Sequence, residues 1–253
     1  MKRLNNYIKE AFKVTVDTKI NKLSEYHYHP KTKAELRELI KKLIEERGDD
    51  ADLNDIDTSE ITDMGFIFHN SKFNGDISQW NVSNVTRMDG MFSNSKFNGD
   101  ISQWDVSNVK DMNYMFDGSE FTNDISDWDV SNVTSMEAMF AYSRFNGNIS
   151  EWDVSNVKDM GSMFEDSTFN NDISKWDVSN VIYMIGMFNN SKFNNDISKW
   201  DVSKVYDMRN MFQYSVFDGD ISNWNVNHST GHEFIFDECP IANKPEKQPK
   251  FNK

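Results

Sequence analysis

Cysteine, proline and long apolar runs are all scarce in this sequence. One cysteine, Cys239, and four prolines stand among 253 residues, and a single cysteine excludes an intramolecular disulfide framework. No apolar run approaches the roughly 18 residues that a membrane span requires. Charged residues interrupt the opening stretch MKRLNNYIKEAFKV, so it does not resemble a secretion signal. We expect no membrane span and favour a cytoplasmic location over the cell surface.

Basic residues are also scarce relative to acidic ones. The chain holds 27 Lys and Arg against 41 Asp and Glu, a formal net charge of -14. The imbalance lies in residues 56–236, which hold 11 basic and 27 acidic residues, whereas both flanking regions are close to neutral. Such a surface repels nucleic acids and anionic membranes, so we expect neither as a direct partner.

The first region, residues 1–55, is predicted to be a helical cap. Thr32 and Glu35 have the spacing of a capping box, and Gly48 is placed to end the helix that they begin. A shorter helix is predicted over residues 4–14. Apolar residues of the longer helix recur at helical spacing and form one stripe: Leu36, Leu39, Ile40, Leu43 and Ile44. This stripe needs a partner, and the open end of the following region offers one.

Residues 56–236 repeat every 24 residues without insertions. Every Met except Met1 belongs to one of two columns with this period, and all seven Trp form a third. A fixed period of this size indicates units that stack on one another, because a single unit cannot bury its own apolar side. The Trp column comprises Trp80, Trp104, Trp128, Trp152, Trp176, Trp200 and Trp224.

One unit, FNGDISQWDVSNVKDMNYMFDGSE, leads to the predicted fold class. Its Ile-x-x-Trp-x-Val part favours a short strand, and its Val-x-x-Met-x-x-Met-Phe part favours a single helical turn. We predict an α/β solenoid over residues 56–236, a stack of about eight 24-residue coils, followed by an irregular tail over residues 237–253. The terminal units depart from the pattern, as capping units do, so we expect a monomer.

The repeat also resembles a known family. The unit W-[DN]-V-S-N-V-x-x-M-x-x-M-F-x-x-S-x-F-N-x-D-I-S is similar to the repeats of BspA-type leucine-rich-repeat surface proteins, including those of mycoplasma lipoproteins, over residues 56–236. The resemblance implies a leucine-rich-repeat-like solenoid that binds other macromolecules, often at a cell surface, and it implies no catalytic site. Unlike surface members, this chain shows no signal peptide, lipobox or wall anchor, and short unanchored copies also resemble phage-encoded proteins.

Two columns of aspartates are the most conspicuous chemical feature. One lies four residues before six of the seven Trp, beginning with Asp76, with Asn148 in the remaining unit. The other lies one residue after five of the Trp, from Asp105 to Asp201. Stacked carboxylates repel one another, and a line of Ca²⁺ ions would neutralise them. Alternatively, each carboxylate accepts hydrogen bonds from the amides of its own turn. The glycine-rich nonapeptide of calcium-binding β-helices is lacking, which favours the turns.

Positions that vary between repeats are free to specify a partner, whereas fixed positions build the stack. Two consecutive units carry apolar, aromatic or Arg residues where the other units are mostly polar or Gly, and stacking brings them together. Clusters of this kind are typical binding hot spots, although drift between repeats would give the same pattern. The predicted partner-binding residues are Ile182, Tyr183, Ile185, Tyr206 and Arg209.

The sequence therefore predicts a non-enzymatic protein that binds a protein partner through a lateral face. No nucleophile elbow, phosphate-binding glycine loop or metalloprotease motif is found, and we predict no cofactor and no metal. His27 and His29 lack a third ligand at zinc-finger spacing. The alternative function is that of an acidic DNA mimic, which would inhibit a nucleic-acid-binding protein.

Overall fold

A computed structural model describes residues 26–251 of the chain. The described residues form one α-helix, α1, which spans Lys33–Arg47. The Thr32 hydroxyl accepts a hydrogen bond from the Glu35 amide, and Gly48 ends the helix with a φ of 93°. The predicted helix over residues 4–14 lies outside the described residues. No helix among residues 26–251 is long and apolar enough to cross a membrane.

Helix α1 packs its apolar stripe against the first units of the repeat. Leu36, Ile40 and Leu43 are buried, and Leu39 and Ile44 pack partly buried against the same core. Lys33 extends from the first turn and places its Nζ 2.8 Å from Asp63 Oδ1. The helix therefore covers apolar side chains at the N-terminal end of the array.

Successive 24-residue units lie side by side and in parallel. Isolated parallel bridges join equivalent positions of neighbouring units throughout the array. Stacking extends ahead of the boundary predicted at residue 56, because Asp52 bridges Asp76 and Tyr28 bridges Ile56. The main column of bridges runs through Asp63, Arg87, Asp111, Ser135, Asp159, Tyr183, Asp207 and Gly231.

Each unit differs locally from the predicted strand and helical turn. Alternate amides donate to the next unit, as from Met88 to the Asp111 carbonyl (2.9 Å) and from Phe92 to the Met115 carbonyl (2.9 Å). The amides between them close turns within the unit, as from Met91 to the Met88 carbonyl (3.1 Å). Two residues per unit, four positions apart, have φ near 50–60°. These left-handed residues interrupt any helix. Because only alternate amides bond to the next unit, the strand is limited to single bridges.

The interior consists of ladders of identical side chains. Each Trp is only 3–5% exposed, which confirms its predicted interior position. Its indole Nε1 donates to an Ile or Leu carbonyl of the preceding unit, as from Trp128 to Ile101 (3.1 Å). Phe rings stack along the array at centroid distances such as 5.6 Å between Phe116 and Phe140. Because the indole N–H is satisfied, burying this large side chain leaves no unpaired donor.

The corners of each unit are built by the repeated polar residues. Asp100 Oδ1 accepts a hydrogen bond from the Ser102 amide (2.9 Å), and Asp129 Oδ1 accepts one from the Ser131 amide (3.1 Å). Asn156 Nδ2 donates to the Ser131 carbonyl of the preceding unit (2.7 Å). The aspartates thus close turns within a unit, while the asparagines connect neighbouring units.

The C-terminal tail closes the far end of the array. It was predicted to be irregular, but it contains two short 3₁₀ helices, Pro240–Asn243 and Pro245–Lys247, each begun by proline. Ile241 is fully buried, and Ile221 donates its amide to the Lys247 carbonyl (2.9 Å). Both ends of the apolar core are therefore covered, by α1 at one end and by these 3₁₀ helices at the other.

Candidate binding face

Many of the positions that vary between repeats lie in one part of each unit, whose outward side we call the lateral face. It consists of the outward side chains of eight nine-residue segments, numbered in chain order. Because backbone hydrogen bonds join equivalent residues of adjacent units, equivalent positions of the segments form columns along the stack. The segments are residues 62–70, 86–94, 110–118, 134–142, 158–166, 182–190, 206–214 and 230–238.

The five predicted partner-binding residues lie together in segments 6 and 7. The Tyr206 amide donates to the Ile182 carbonyl (2.8 Å), and Tyr183 forms a parallel bridge with Asp207. Ile185 lies beside Arg209, since the amide after Ile185 donates to the Arg209 carbonyl (2.9 Å). Tyr206 is 53% exposed, Tyr183 and Arg209 are exposed, and the two isoleucines are half-buried.

Arg209 has a partner within its own unit that the sequence did not indicate. Its Nε lies 3.0 Å from both carboxylate oxygens of Asp207, and its Nη2 lies 2.6 Å from Asp207 Oδ2. Burial alone would raise the pKa of the Asp207 carboxyl, but hydrogen bonds from Arg209 lower it overall. The pair fixes the guanidinium on the face and leaves segments 6 and 7 without net charge.

The exposed aromatic side chains of the described residues all lie on the lateral face. Tyr183 and Tyr206 belong to the predicted patch, and five others extend the aromatic surface to segments 1, 3, 4, 7 and 8. The full set is Phe66, Tyr114, Tyr142, Tyr183, Tyr206, Tyr214 and Phe234.

The five additional aromatics occupy left-handed backbone positions. In other units these two columns hold mostly small or polar residues, including Gly90, Gly186 and Asn190. Glycine and asparagine adopt positive φ readily, whereas a bulky side chain there is strained. Sequence reasoning missed these positions, although the columns ten and fourteen residues after each Trp do vary. Their φ values are 57° for Phe66, 57° for Tyr114, 53° for Tyr142, 58° for Tyr214 and 58° for Phe234.

Carboxylates surround the aromatics in segments 3 to 5. Burial, together with nearby carboxylates, raises the pKa values of Asp111, Asp117 and Asp159 above that of an ordinary aspartate. The Tyr114 hydroxyl donates to Glu137 Oε1 (2.5 Å), and burial with this bond raises the Tyr114 pKa. Cations of the protein do not fully neutralise the negative charge of these half-buried carboxylates.

The corner aspartates have the opposite environment. Hydrogen bonds from the amide and hydroxyl of the serine two residues later lower the pKa values of Asp129, Asp177 and Asp201. These are the turn hydrogen bonds that were predicted as the alternative to calcium. Within residues 26–251 we find no group of three or more His, Cys, Asp or Glu that could hold a metal ion.

His27 and His29 contact different carboxylates. His27 Nδ1 lies 3.3 Å from Asp55 Oδ2, and His29 Nδ1 lies 3.3 Å from Asp57 Oδ2. Each histidine therefore contacts its own carboxylate.

Comparison with known proteins identifies the family of this chain. A family described as a mycoplasma protein of unknown function, DUF285, matches residues 36–146 and again residues 138–248. The chain belongs to this family. The two tandem matches and the regular aromatic spacing identify it as a repeat protein. No curated protein and no solved structure gives a match.

Proposed function

We propose that this DUF285 protein is a non-enzymatic interaction module, which binds a protein partner through the lateral face. The predicted contact residues are Ile182, Tyr183, Ile185, Tyr206 and Arg209, to which we add the left-handed aromatics. Exposed aromatic and Arg side chains, here on a backbone that is hydrogen-bonded between units, are typical of binding hot spots.

The observation that carries this proposal is the left-handed backbone beneath exposed aromatic rings. Tyr142 and Tyr214 are 58% and 57% exposed, so their rings contribute little to the core. Strained backbone positions of this kind cost on the order of 1–3 kcal/mol each. In the same column Asn190 and Gly118 avoid most of that cost. Aromatic residues that destabilise the fold and face solvent are best explained by contact with a partner.

The repeated polar residues support a scaffold role rather than catalysis. The corner aspartates and serines are hydrogen-bonded within their own turns, and the asparagines connect one unit to the next. We propose that the stack is a solenoid of the leucine-rich-repeat kind, as the resemblance to BspA-type repeats implies, and that it acts as a monomer without cofactor.

A DNA-mimicking inhibitor is the second candidate, and the two columns of corner aspartates favour it. Their carboxylates close turns but remain exposed, with one or two in each unit along the stack. A regular row of exposed negative charge is the feature of DNA that basic proteins recognise. These carboxylates lie outside the lateral face, so the two candidate functions use different surfaces.

Capture from cells that express the chain, followed by mass spectrometry, tests the proposal. The face variant combines Ile182→Ala, Tyr206→Ala and Tyr214→Asn. The control is the corner variant, Asp105→Asn, Asp129→Asn and Asp153→Asn, which keeps the turns because Asn81 and Asn148 already make the same turn bond elsewhere. We expect a defined protein to be lost with the face variant and retained with the corner variant.

Two other results would contradict the interaction-module proposal. If the face variant retains every captured protein, the lateral face is not the binding surface. If the corner variant loses the captured protein, and if DNA competes and high salt abolishes capture, the DNA-mimic candidate replaces it.

A further inference from the structure

The lateral face is divided by charge into two parts that the proposed function does not distinguish. Segments 6 and 7 hold one acidic and one basic residue, Asp207 and Arg209, which pair with each other. Segments 3 to 5 hold six acidic residues and two basic ones, Lys110 and Lys158. The second part, which we call the acidic aromatic region, therefore carries a net charge of -4.

Within the acidic aromatic region each exposed tyrosine is flanked by carboxylates. Tyr142 donates to Glu165 Oε1 at 3.2 Å, and its pKa is raised by Glu165 first, then by burial and by Asp166 and Asp117. Tyr114 has an equivalent arrangement one unit earlier, with its hydroxyl on a glutamate of the next segment. Each ring thus stands among negative charges.

An aromatic ring flanked by carboxylates matches the chemistry of a lysine or arginine side chain. The ring face attracts the cation through its quadrupole, and the carboxylates accept its N–H groups. Lys110 and Lys158 both face solvent and leave the region acidic. Left-handed backbone at both tyrosines, with φ of 57° and 53°, shows that these rings are placed at a cost to the fold.

We propose that the acidic aromatic region binds a lysine- or arginine-rich segment of the protein partner, with cations over Tyr114 and Tyr142 and ion pairs to Asp117, Glu165 and Asp166. This inference rests on the proposed function, since it assigns the chemistry of the partner for one part of the same face. The neutral segments 6 and 7 bind an adjacent, less charged part of that partner.

A fluorescently labelled decapeptide of alternating lysine and glycine is the probe, and its fully acetylated form is the matched control, because acetylation removes the charges. Fluorescence anisotropy follows titration with the full chain at low ionic strength. We expect the lysine peptide to bind and the acetylated peptide not to bind. Equal affinity of the two peptides would overturn the proposal.

Two charge-matched variants locate the site. The carboxylate variant, Asp117→Asn, Glu165→Gln and Asp166→Asn, removes three charges from the acidic aromatic region. The corner variant removes three charges from the same units, at positions outside the lateral face. We expect the carboxylate variant to bind the lysine peptide about tenfold more weakly, whereas the corner variant binds almost unchanged. Equal loss in both would show attraction by net charge alone and would overturn the proposal.

A separate variant tests what the aromatic ring contributes to binding of the lysine peptide. Tyr142→Asn places at this position the residue that Asn190 already supplies two units later, so the fold is retained. We expect binding about threefold weaker, because one exposed cation–π contact is lost. Unchanged binding would contradict a contact with this ring.

These outcomes separate the inference from the proposed function. If cellular capture depends on Ile182, Tyr206 and Tyr214 but the lysine peptide does not bind, the inference fails and the interaction module stands. If capture is unaffected by the face variant, the proposed function fails whatever the peptide does.

Discussion

Aspartates at the corners of the repeat and aspartates on the lateral face have opposite effects on the fold. At the corners, as at Asp129 and Asp201, hydrogen bonds from the following serine stabilise the charged carboxylate and lower its pKa. On the lateral face, burial and neighbouring carboxylates raise the pKa values of Asp111 and Asp159. Corner carboxylates therefore stabilise the fold at neutral pH, while these lateral carboxylates destabilise it.

The backbone shows the same contrast. The left-handed positions of some units carry Gly or Asn, as at Gly90 and Asn94, whereas others carry exposed aromatic side chains, as at Tyr142 and Tyr214. Repetition thus marks residues that build the stack, and departures from it mark residues that cost stability. Such departures are expected where a protein contacts a partner.

The largest effect is expected for an interior residue. Trp128→Ala should lower the free energy of unfolding by about 3–5 kcal/mol, because it opens a cavity and removes the bond to Ile101. Urea unfolding measures this loss of stability. Tyr206→Ala on the lateral face is the control and should change stability by less than about 0.5 kcal/mol. Equal midpoints for the two variants would contradict the division into interior and face.

A corner residue should have an intermediate effect. Asp129→Ala removes the acceptor of the Ser131 amide and should destabilise the protein by about 1 kcal/mol. Asp129→Asn should be nearly neutral, since Asn81 makes the equivalent bond to Ser83. The same unfolding assay compares them. If Asn is as damaging as Ala, the charge rather than the turn hydrogen bond is what the corner requires.

The smallest effect concerns pH. The pKa values of Asp111, Asp117 and Asp159 are raised on folding, so the native state binds more protons than the unfolded state just above the unfolded value of about 3.9. At low pH these carboxyl groups are neutral and do not lower the stability of the fold. The fold loses stability as pH rises through their folded pKa values, because the groups then ionise. Replacing all three by Asn should therefore stabilise the protein at pH 7, by a few tenths of a kcal/mol, and not at pH 3. A gain that is equal at both pH values would exclude ionisation as its cause.

The sequence predicted the repeat well because each signal is local and is counted many times. The 24-residue period places every Trp in the interior, and the capping residues Thr32 and Gly48 mark the ends of α1. The backbone within a unit could not be predicted in the same way. The spacing of Met112 and Met115 also fits a helical turn, and the left-handed residues that exclude one are as diverse as Tyr114 and Ala138.

The candidate site was predicted only in part. Variation at Ile182 and Tyr206 pointed to segments 6 and 7, since unusual residues are visible in an aligned column. The pairing of Arg209 with Asp207 and the strained backbone under Tyr142 depend on side-chain geometry and φ, which composition does not encode. The sequence did not reveal the acidic aromatic region, because Tyr114 and Tyr142 lie in adjacent units and in different columns of the repeat.

The proposed function implies that exposed aromatics at left-handed positions serve a partner and not the fold. The urea unfolding midpoint of the double variant Tyr142→Asn, Tyr214→Asn tests it most directly, since Asn190 shows that asparagine fits the same column. We expect a variant at least as stable as the natural protein, with a gain of up to about 1 kcal/mol from relief of strain. A loss of about 1 kcal/mol or more would show that the rings stabilise the fold, and would contradict it.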